Sequence, residues 1–157
     1  MRGRTPVAED HGCEPMPPEL VARVEALLAE HPSLRGQPAT DAEIEAAQQV
    51  LGLVFDPQYV AFIKHFGGSF GGVDIHAFAN GSLIGRETVT ELTLGFRERY
   101  GDDVSDHLRT ALAISDDGAG NPVLLSARGE IMLYLHDEGE VEMLFPSLYD
   151  MMNAWLP

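Results

Sequence analysis

The chain has 157 residues, of which 25 are Asp or Glu and 10 are Lys or Arg, so its formal net charge is −15 at pH 7. This surplus argues against nucleic acid as a partner, because phosphates need Lys and Arg as counter-charges. The single cysteine, Cys13, cannot form an internal disulfide, and no stretch approaches the roughly 18 continuous apolar residues of a membrane span.

The N-terminal part of the chain divides into a tail and the start of a domain. Residues 1–16 contain Pro and Gly but few large apolar side chains, which predicts a flexible tail. Residues 17–157 are predicted to form a single domain, since a chain of this length suits one hydrophobic core. No apolar run follows Arg2 and Arg4, so we expect no secretory signal and a cytoplasmic location.

Two amphipathic helices are predicted next. The first opens at Pro17-Pro18 and cannot pass Pro32, because proline has no backbone N–H and blocks helix continuation. The second begins at a capping box formed by Thr40 and Glu43. Their apolar positions recur at helical spacing: Leu20, Val21, Val24, Leu27 and Leu28 in the first, and Ile44, Ala47, Val50 and Leu51 in the second.

A third helix is predicted to follow closely. Asp56 is a good N-cap, Pro57 suits the first helical position, and Gly67-Gly68 ends the pattern. Its apolar face consists of Tyr59, Val60, Phe62, Ile63 and Phe66. Further on, residues 73–78 alternate as a strand does, and residues 88–100 have helical spacing despite Thr93 and Gly95, which weaken a helix.

Four short apolar runs then follow, at residues 111–115, 122–126, 131–136 and 141–145. Turns rich in Asp, Gly, Asn and Glu separate them, which predicts an antiparallel meander. In the last run, alternation is expected to turn Val141, Met143 and Phe145 inward and Glu140 and Glu142 outward. A final helix begins at Ser147 and carries Leu148, Met151, Met152, Trp155 and Leu156 on its apolar face.

No motif for enzymatic chemistry occurs in the sequence context that it requires. The six histidines include no pair at His-x-x-x-His spacing, and one cysteine excludes a zinc ribbon. Residues 67–71 match Gly-x-Ser-x-Gly, but they follow a predicted helix and precede a predicted strand, whereas a nucleophile elbow leads from a strand into a helix. No phosphate-binding loop ending in Gly-Lys-Ser/Thr is present. We therefore predict no catalytic residue, no cofactor and no metal site.

Asp116 and Asp117 are the strongest exception, since adjacent carboxylates at a glycine-rich turn could hold a divalent ion or serve acid-base chemistry. Asp, Gly and Asn are also the residues that a turn with positive φ requires, and this interpretation is favoured. His136-Asp137 presents the same choice between a functional histidine and a strand entering a turn, and the turn is again favoured.

In their order along the chain, these segments resemble the SUKH superfamily of bacterial toxin-immunity and regulatory proteins. The resemblance covers residues 40–156 and rests on Glu43-Ile44 with Leu51-Gly52, on Asp56-Pro57-x-Tyr59-x-x-Phe62 with Gly67-Gly68, on the turn at residues 116–121, and on Ser147-Leu148 with Trp155-Leu156. It implies an α+β domain whose mostly antiparallel β-sheet is backed by several helices. It also implies an immunity protein that binds and neutralises a cognate toxin in the bacterial cytoplasm, and such toxins are often nucleases or other basic enzymes.

The charge distribution suggests where such a partner would bind. No Lys or Arg follows Arg128, and the last 29 residues carry 6 acidic side chains and no basic one. An acidic face can steer a basic protein toward it, although the same residues could simply keep the fold soluble. The candidate partner-binding residues are Asp116, Asp117, Asp137, Glu138, Glu140 and Glu142.

Two other classes of function stay open at this point. A non-enzymatic regulatory module of the same superfamily would have the same fold but several cellular partners. A small metal-dependent hydrolase would require Asp116, Asp117 and a histidine to converge.

Overall fold

The computed structural model describes residues 14–102 and 104–157, which form helices and two antiparallel sheets. The helices are α1 (Pro18–Glu30), α2 (Asp41–Leu51), α3 (Pro57–Phe66), α4 (Val89–Tyr100), α5 (Asp106–Arg109) and α6 (Leu148–Trp155), with a 3₁₀ turn at Pro32–Leu34. The strands are β1 (Ser69–Phe70), β2 (Asp74–Ile75), β3 (Leu112–Asp116), β4 (Pro122–Leu125), β5 (Ile131–Leu135) and β6 (Glu140–Phe145). The predicted α+β fold is confirmed.

The larger sheet is the predicted meander, with strand order β3-β4-β5-β6 and antiparallel pairing throughout. The smaller sheet, β1 with β2, lies beside β3, where the backbone N–H of His76 donates to the carbonyl of Ile114 at 2.9 Å. The strand predicted at residues 73–78 is thus shorter than expected, because the chain turns away after this contact.

The two faces of the sheet pack against different helices. On one face, strand residues such as Ile114, Val123 and Ile131 join a large core with α1, α2, α3 and α6. On the other, Leu124, Met132 and Tyr134 pack against α4 and α5 in a smaller core built around Phe96 and Leu108. Because α4 and α5 lie over β3 to β5, β6 extends beyond their cover.

The predicted helix starts are confirmed in their atomic detail. Thr40 and Glu43 form a reciprocal capping box, and Thr88 and Glu91 form a second one at the start of α4. At α3, the Asp56 carboxylate accepts two backbone N–H groups of the first turn. These caps satisfy donors that have no partner inside the helix, so they fix where each helix begins.

Thr93, which weakens the helix prediction for residues 88–100, has a structural role in α4. Thr93 is fully buried, and its hydroxyl oxygen accepts the backbone N–H of Ala113 at 3.0 Å. Thr93 therefore satisfies a donor on the outer edge of β3, which a larger apolar residue could not do.

Gly67 and Gly68 end α3, and they lie close to the chain at Gln37 and at Asn80. Gly67 has φ +75°, and a Cβ there would lie 1.9 Å from the carbonyl oxygen of Gln37. A Cβ on Gly68 would lie 1.8 Å from Oδ1 of Asn80, which accepts the backbone N–H of Ala77. The Asn80 amide nitrogen donates to the carbonyls of residues 85 and 87, so this side chain organises the loop before α4.

Strand β6 departs from the predicted alternation. Val141 and Met143 are 40% and 54% exposed, so they are not the inward-facing residues that alternation predicted. A bulge places Phe145 opposite Ile131 while Met143 pairs with Met132, and Phe145 joins the large core on the opposite face. Alternation indicates which side chains share a face only while the register is unbroken.

The predicted tail, residues 1–16, lies mostly outside the described residues. Its last three residues, 14–16, contact the domain. The Glu14 backbone N–H donates to the carbonyl of Pro57 at 3.2 Å, the Tyr149 hydroxyl donates to the Glu14 carbonyl, and Met16 packs against the large core. Among the helices of residues 14–102 and 104–157, none has the length and apolar character needed to span a membrane.

Candidate partner-binding surface

Two acidic turns lie side by side at one end of the larger sheet. The first, residues 116–121, joins β3 to β4, and the second, residues 136–139, joins β5 to β6. Alternate turns of a meander fall at the same end of the sheet, and here they touch. Oδ1 of Asn121 accepts the backbone N–H of His136 at 3.0 Å and lies 2.7 Å from Nδ1 of its ring.

This contact brings four of the six candidate residues to one end of the molecule, which we call the acidic end: Asp116, Asp117, Asp137 and Glu138. All four are exposed. Glu140 and Glu142 are also exposed, but they lie along β6, opposite Leu135 and Leu133 respectively. The six candidate partner-binding residues therefore form two groups, four at the acidic end and two along β6.

The first turn uses its carboxylates to hold its own backbone. Asp117 Oδ1 accepts the N–H groups of Ala119 at 2.8 Å and of Asn121 at 3.1 Å, and Oδ2 accepts the Asn121 side-chain amide at 2.9 Å. These hydrogen bonds, the Asn121 side chain first among them, lower the pKa of Asp117. Asp116 accepts the N–H of Gly118. Both residues thus fit the structural interpretation of this turn.

The second turn keeps its carboxylates freer. Asp137 Oδ1 lies 3.2 Å from Nε2 of the neighbouring His136, and no ion pair between Glu138 and another described residue is present. Arg128, the last basic residue, lies in the β4–β5 turn at the opposite end of the sheet. No Lys or Arg of the last 29 residues therefore offsets the negative charge of the second turn.

A shallow groove of about 230 Å³ adjoins the acidic end, between α4 and the start of β4. Asp116 and Gly120 of the first turn line it on one side, and Arg99 and Tyr100 of α4 line it on the other. The groove therefore has a basic side chain, Arg99, on the wall formed by α4 and an acidic one, Asp116, on the wall formed by the first turn.

A metal-dependent hydrolase would require Asp116, Asp117 and a histidine to converge. Among residues 14–102 and 104–157, no group of three or more His, Cys, Asp or Glu side chains could hold a metal ion. His136, which contacts the first turn, has its Nδ1 atom 2.7 Å from Oδ1 of Asn121. What the surface offers is exposed carboxylates on a sheet that holds them in place.

The contact between Asn121 and His136 was not predicted from the sequence. Asn121 is recognisable only as a turn residue, and His136 only as the end of a strand. The one available signal was the meander itself, because its topology places the β3–β4 and β5–β6 turns at the same end.

Removing the Asn121 side chain tests the coupling of the two turns. Asn121→Ala should raise the pKa of Asp117 toward its ordinary value and lower the free energy of unfolding by about 1 kcal/mol, since hydrogen bonds within and between the turns are lost. A carboxylate whose pKa is lowered on folding stabilises above its unfolded pKa and loses this contribution as pH falls. The part of the destabilisation that comes from Asp117 should therefore shrink below about pH 4.

NMR titration of Asp117 and urea unfolding at several pH values would measure both effects. Gln49→Ala, which truncates an exposed amide on α2, is the control and should change neither quantity. An unchanged Asp117 pKa in Asn121→Ala would contradict the assignment of these hydrogen bonds.

Comparison with known proteins gives one family. A family model described as SMI1 / KNR4 family (SUKH-1) matches residues 38–154, from just before α2 to the last turn of α6. The match includes both acidic turns and all of β6. No curated protein and no solved structure matches the chain.

Proposed function

Since the chain belongs to the SMI1 / KNR4 family (SUKH-1), we propose that it is a non-enzymatic immunity protein that binds and neutralises a cognate bacterial toxin. The observation that carries this proposal is the acidic end, where two turns are locked together and present four exposed carboxylates. An immunity protein has to bind its toxin in the compartment where the toxin acts, and the compartment proposed here is the cytoplasm.

The charge of the acidic end suggests a basic partner. Clustered carboxylates attract a basic protein over about a Debye length, roughly 8 Å at physiological salt, and raise its association rate. Many enzymes that cut nucleic acids carry a basic cleft for phosphate, so a nuclease toxin would match this surface. The acidic residues then act by covering that cleft and require no chemistry of their own.

Charge reversal in the second turn gives the sharpest test. We choose Asp137→Lys with Glu138→Lys, because Asp116 and Asp117 hold the backbone of their own turn and their replacement would disturb the fold. The partner in this test would be the cognate toxin domain. The association rate should fall about tenfold or more at low salt, and the difference should narrow as salt rises.

Stopped-flow binding and rescue of growth in cells that express the toxin would measure the effect. The control is Glu30→Lys with Glu45→Lys, which makes the same change in net charge on the exposed surfaces of α1 and α2. Equal association rates for both double variants at every salt concentration would show that the acidic end only keeps the protein soluble. Absence of any complex with the toxin would refute the immunity role itself.

A further inference from the structure

Strand β6 is the open edge of the larger sheet. At the opposite edge, β3 is covered, since Thr93 accepts the N–H of Ala113 and His76 donates to the carbonyl of Ile114. In the part of the chain that the structure describes, hydrogen bonds to the β6 backbone come from β5. About half of the N–H and C=O groups of an edge strand point away from its sheet, so β6 can pair with another strand.

The two faces of β6 have different chemistry. Val141 and Met143 share a face with their buried partners Tyr134 and Met132, but they are themselves 40% and 54% exposed. Glu140 and Glu142 occupy the opposite face and are exposed. Over residues 140–143, the open edge therefore presents two carboxylates on one side and two apolar side chains on the other.

We infer that the β6 edge at residues 140–143 binds an extended segment of a partner protein as a fifth strand, and that this segment alternates basic and apolar residues. The identification of that partner as a toxin rests on the function proposed above. The backbone of the segment would continue the ladder, which is how many proteins capture extended peptides at a sheet edge.

Charge complementarity determines the side chains of the segment. Residues directly opposite each other in an antiparallel pair lie on the same face, with Cβ atoms about 4.5–5.5 Å apart. Lys or Arg opposite Glu140 and Glu142 would form cross-strand ion pairs on one face. Apolar residues opposite Val141 and Met143 would cover the side chains that α4 and α5 leave exposed on the other.

A second copy of this chain does not suit the edge. Two β6 strands related by a two-fold axis would pair antiparallel, and residues opposite each other would lie on the same face of the joined sheet. Glu140 and Glu142 would then lie opposite acidic residues of the other copy, or opposite residues that follow its bulge. Like charges opposite each other destabilise such a pair.

The features that protect this edge from aggregation also limit where pairing can occur. Charged side chains, bulges and proline are the usual means by which proteins keep edge strands from self-association. Here the bulge lies between Met143 and Phe145, and Pro146 follows the strand. Both lie beyond residues 140–143, so they end the available ladder and leave these four residues open to a partner of opposite charge.

A synthetic peptide tests the inference without knowledge of the partner. The probe is a peptide of about seven residues that alternates Lys and Val, with both ends blocked. Added to the ¹⁵N-labelled full chain, it should shift the amide signals of residues 140–143 and slow their hydrogen exchange. The same peptide with N-methylated internal amides cannot continue the ladder and should produce neither effect. A peptide of alternating Glu and Val should bind more weakly.

Matched variants separate strand pairing from general attraction between charges. Glu140→Lys with Glu142→Lys should weaken peptide binding roughly tenfold, because two favourable cross-strand pairs become repulsive. Glu30→Lys with Glu45→Lys makes the same change in net charge and should weaken it much less. Equal weakening by both variants, equal binding of the N-methylated peptide, or perturbation confined to the acidic end would overturn the inference.

The outcomes for the two proposals are distinguishable. If the chain neutralises its toxin but the peptide leaves residues 140–143 unchanged, the immunity function stands and strand addition at β6 is wrong. If the peptide protects β6 but no toxin is neutralised, the edge binds extended basic segments of some other partner and the immunity function is wrong.

Discussion

Phe62→Ala is expected to lower the free energy of unfolding by about 3–5 kcal/mol, because it removes a large ring from a closed core and leaves a cavity. Phe62 is fully buried in α3, and its ring centroid lies 5.3 Å from that of Phe66. The backbone of Gly71 approaches the same ring so closely that a Cβ there would lie 2.9 Å from it. With backbone on one side and an aromatic ring on the other, the site has little freedom to collapse around the missing atoms.

Urea unfolding of the full chain, followed by circular dichroism, would measure this loss. Val50→Ala is the matched control: Val50 is 61% exposed on α2, although its spacing predicted a buried position, and the change should stay within about 0.5 kcal/mol. If Phe62→Ala unfolds like the unmodified protein but no longer binds the toxin, Phe62 belongs to an interface and the assignment of α3 to the core is wrong.

Gly67→Ala is the second change with a large expected effect. Gly67 has φ +75° and ψ −155°, a backbone conformation that is essentially restricted to glycine and costs other residues about 1–3 kcal/mol. The added Cβ would also lie 1.9 Å from the carbonyl oxygen of Gln37, so the segment before α2 would have to move. The total loss should therefore exceed the conformational cost alone.

Gly52→Ala isolates the conformational part of this cost. Gly52 also has a positive φ, +69°, but no atom lies within 4 Å of the position a Cβ would take. It should lose only the roughly 1–2 kcal/mol of a left-handed residue. Thermal and urea unfolding of both variants would compare them. A loss at Gly67 no larger than that at Gly52 would contradict the close packing of α3 against residue 37.

The features predicted correctly from the sequence are those fixed by neighbours along the chain. A capping box needs only Thr40 and Glu43, three residues apart, and the start of α3 needs only Asp56 and Pro57. The meander could be predicted for a similar reason, since short apolar runs joined by short turns can pair only with their neighbours. The family resemblance used the same local motifs, and the family model confirms it.

The candidate site could be predicted only in part. The acidic residues are visible in the composition, but whether a carboxylate is free depends on contacts between turns that are distant in the chain. Asp117 is bound by its own turn, whereas Asp137 and Glu138 extend from a turn that Asn121 holds in place through His136. Asn80 was missed for the same reason, because its hydrogen bonds link residues 77, 85 and 87 around Gly68.

The sequence by itself determined the helices other than the short α5, the four-stranded meander, the family and the sign of the surface charge, because each follows from residue types and short spacings. The tertiary structure alone decided which residues at apolar spacing stay exposed and which acidic residues lie together. Val141 and Met143 have the alternation of core residues, yet they are exposed because α4 and α5 do not extend over β6. Phe145 changes face because one bulged residue breaks the period of two on which such predictions depend.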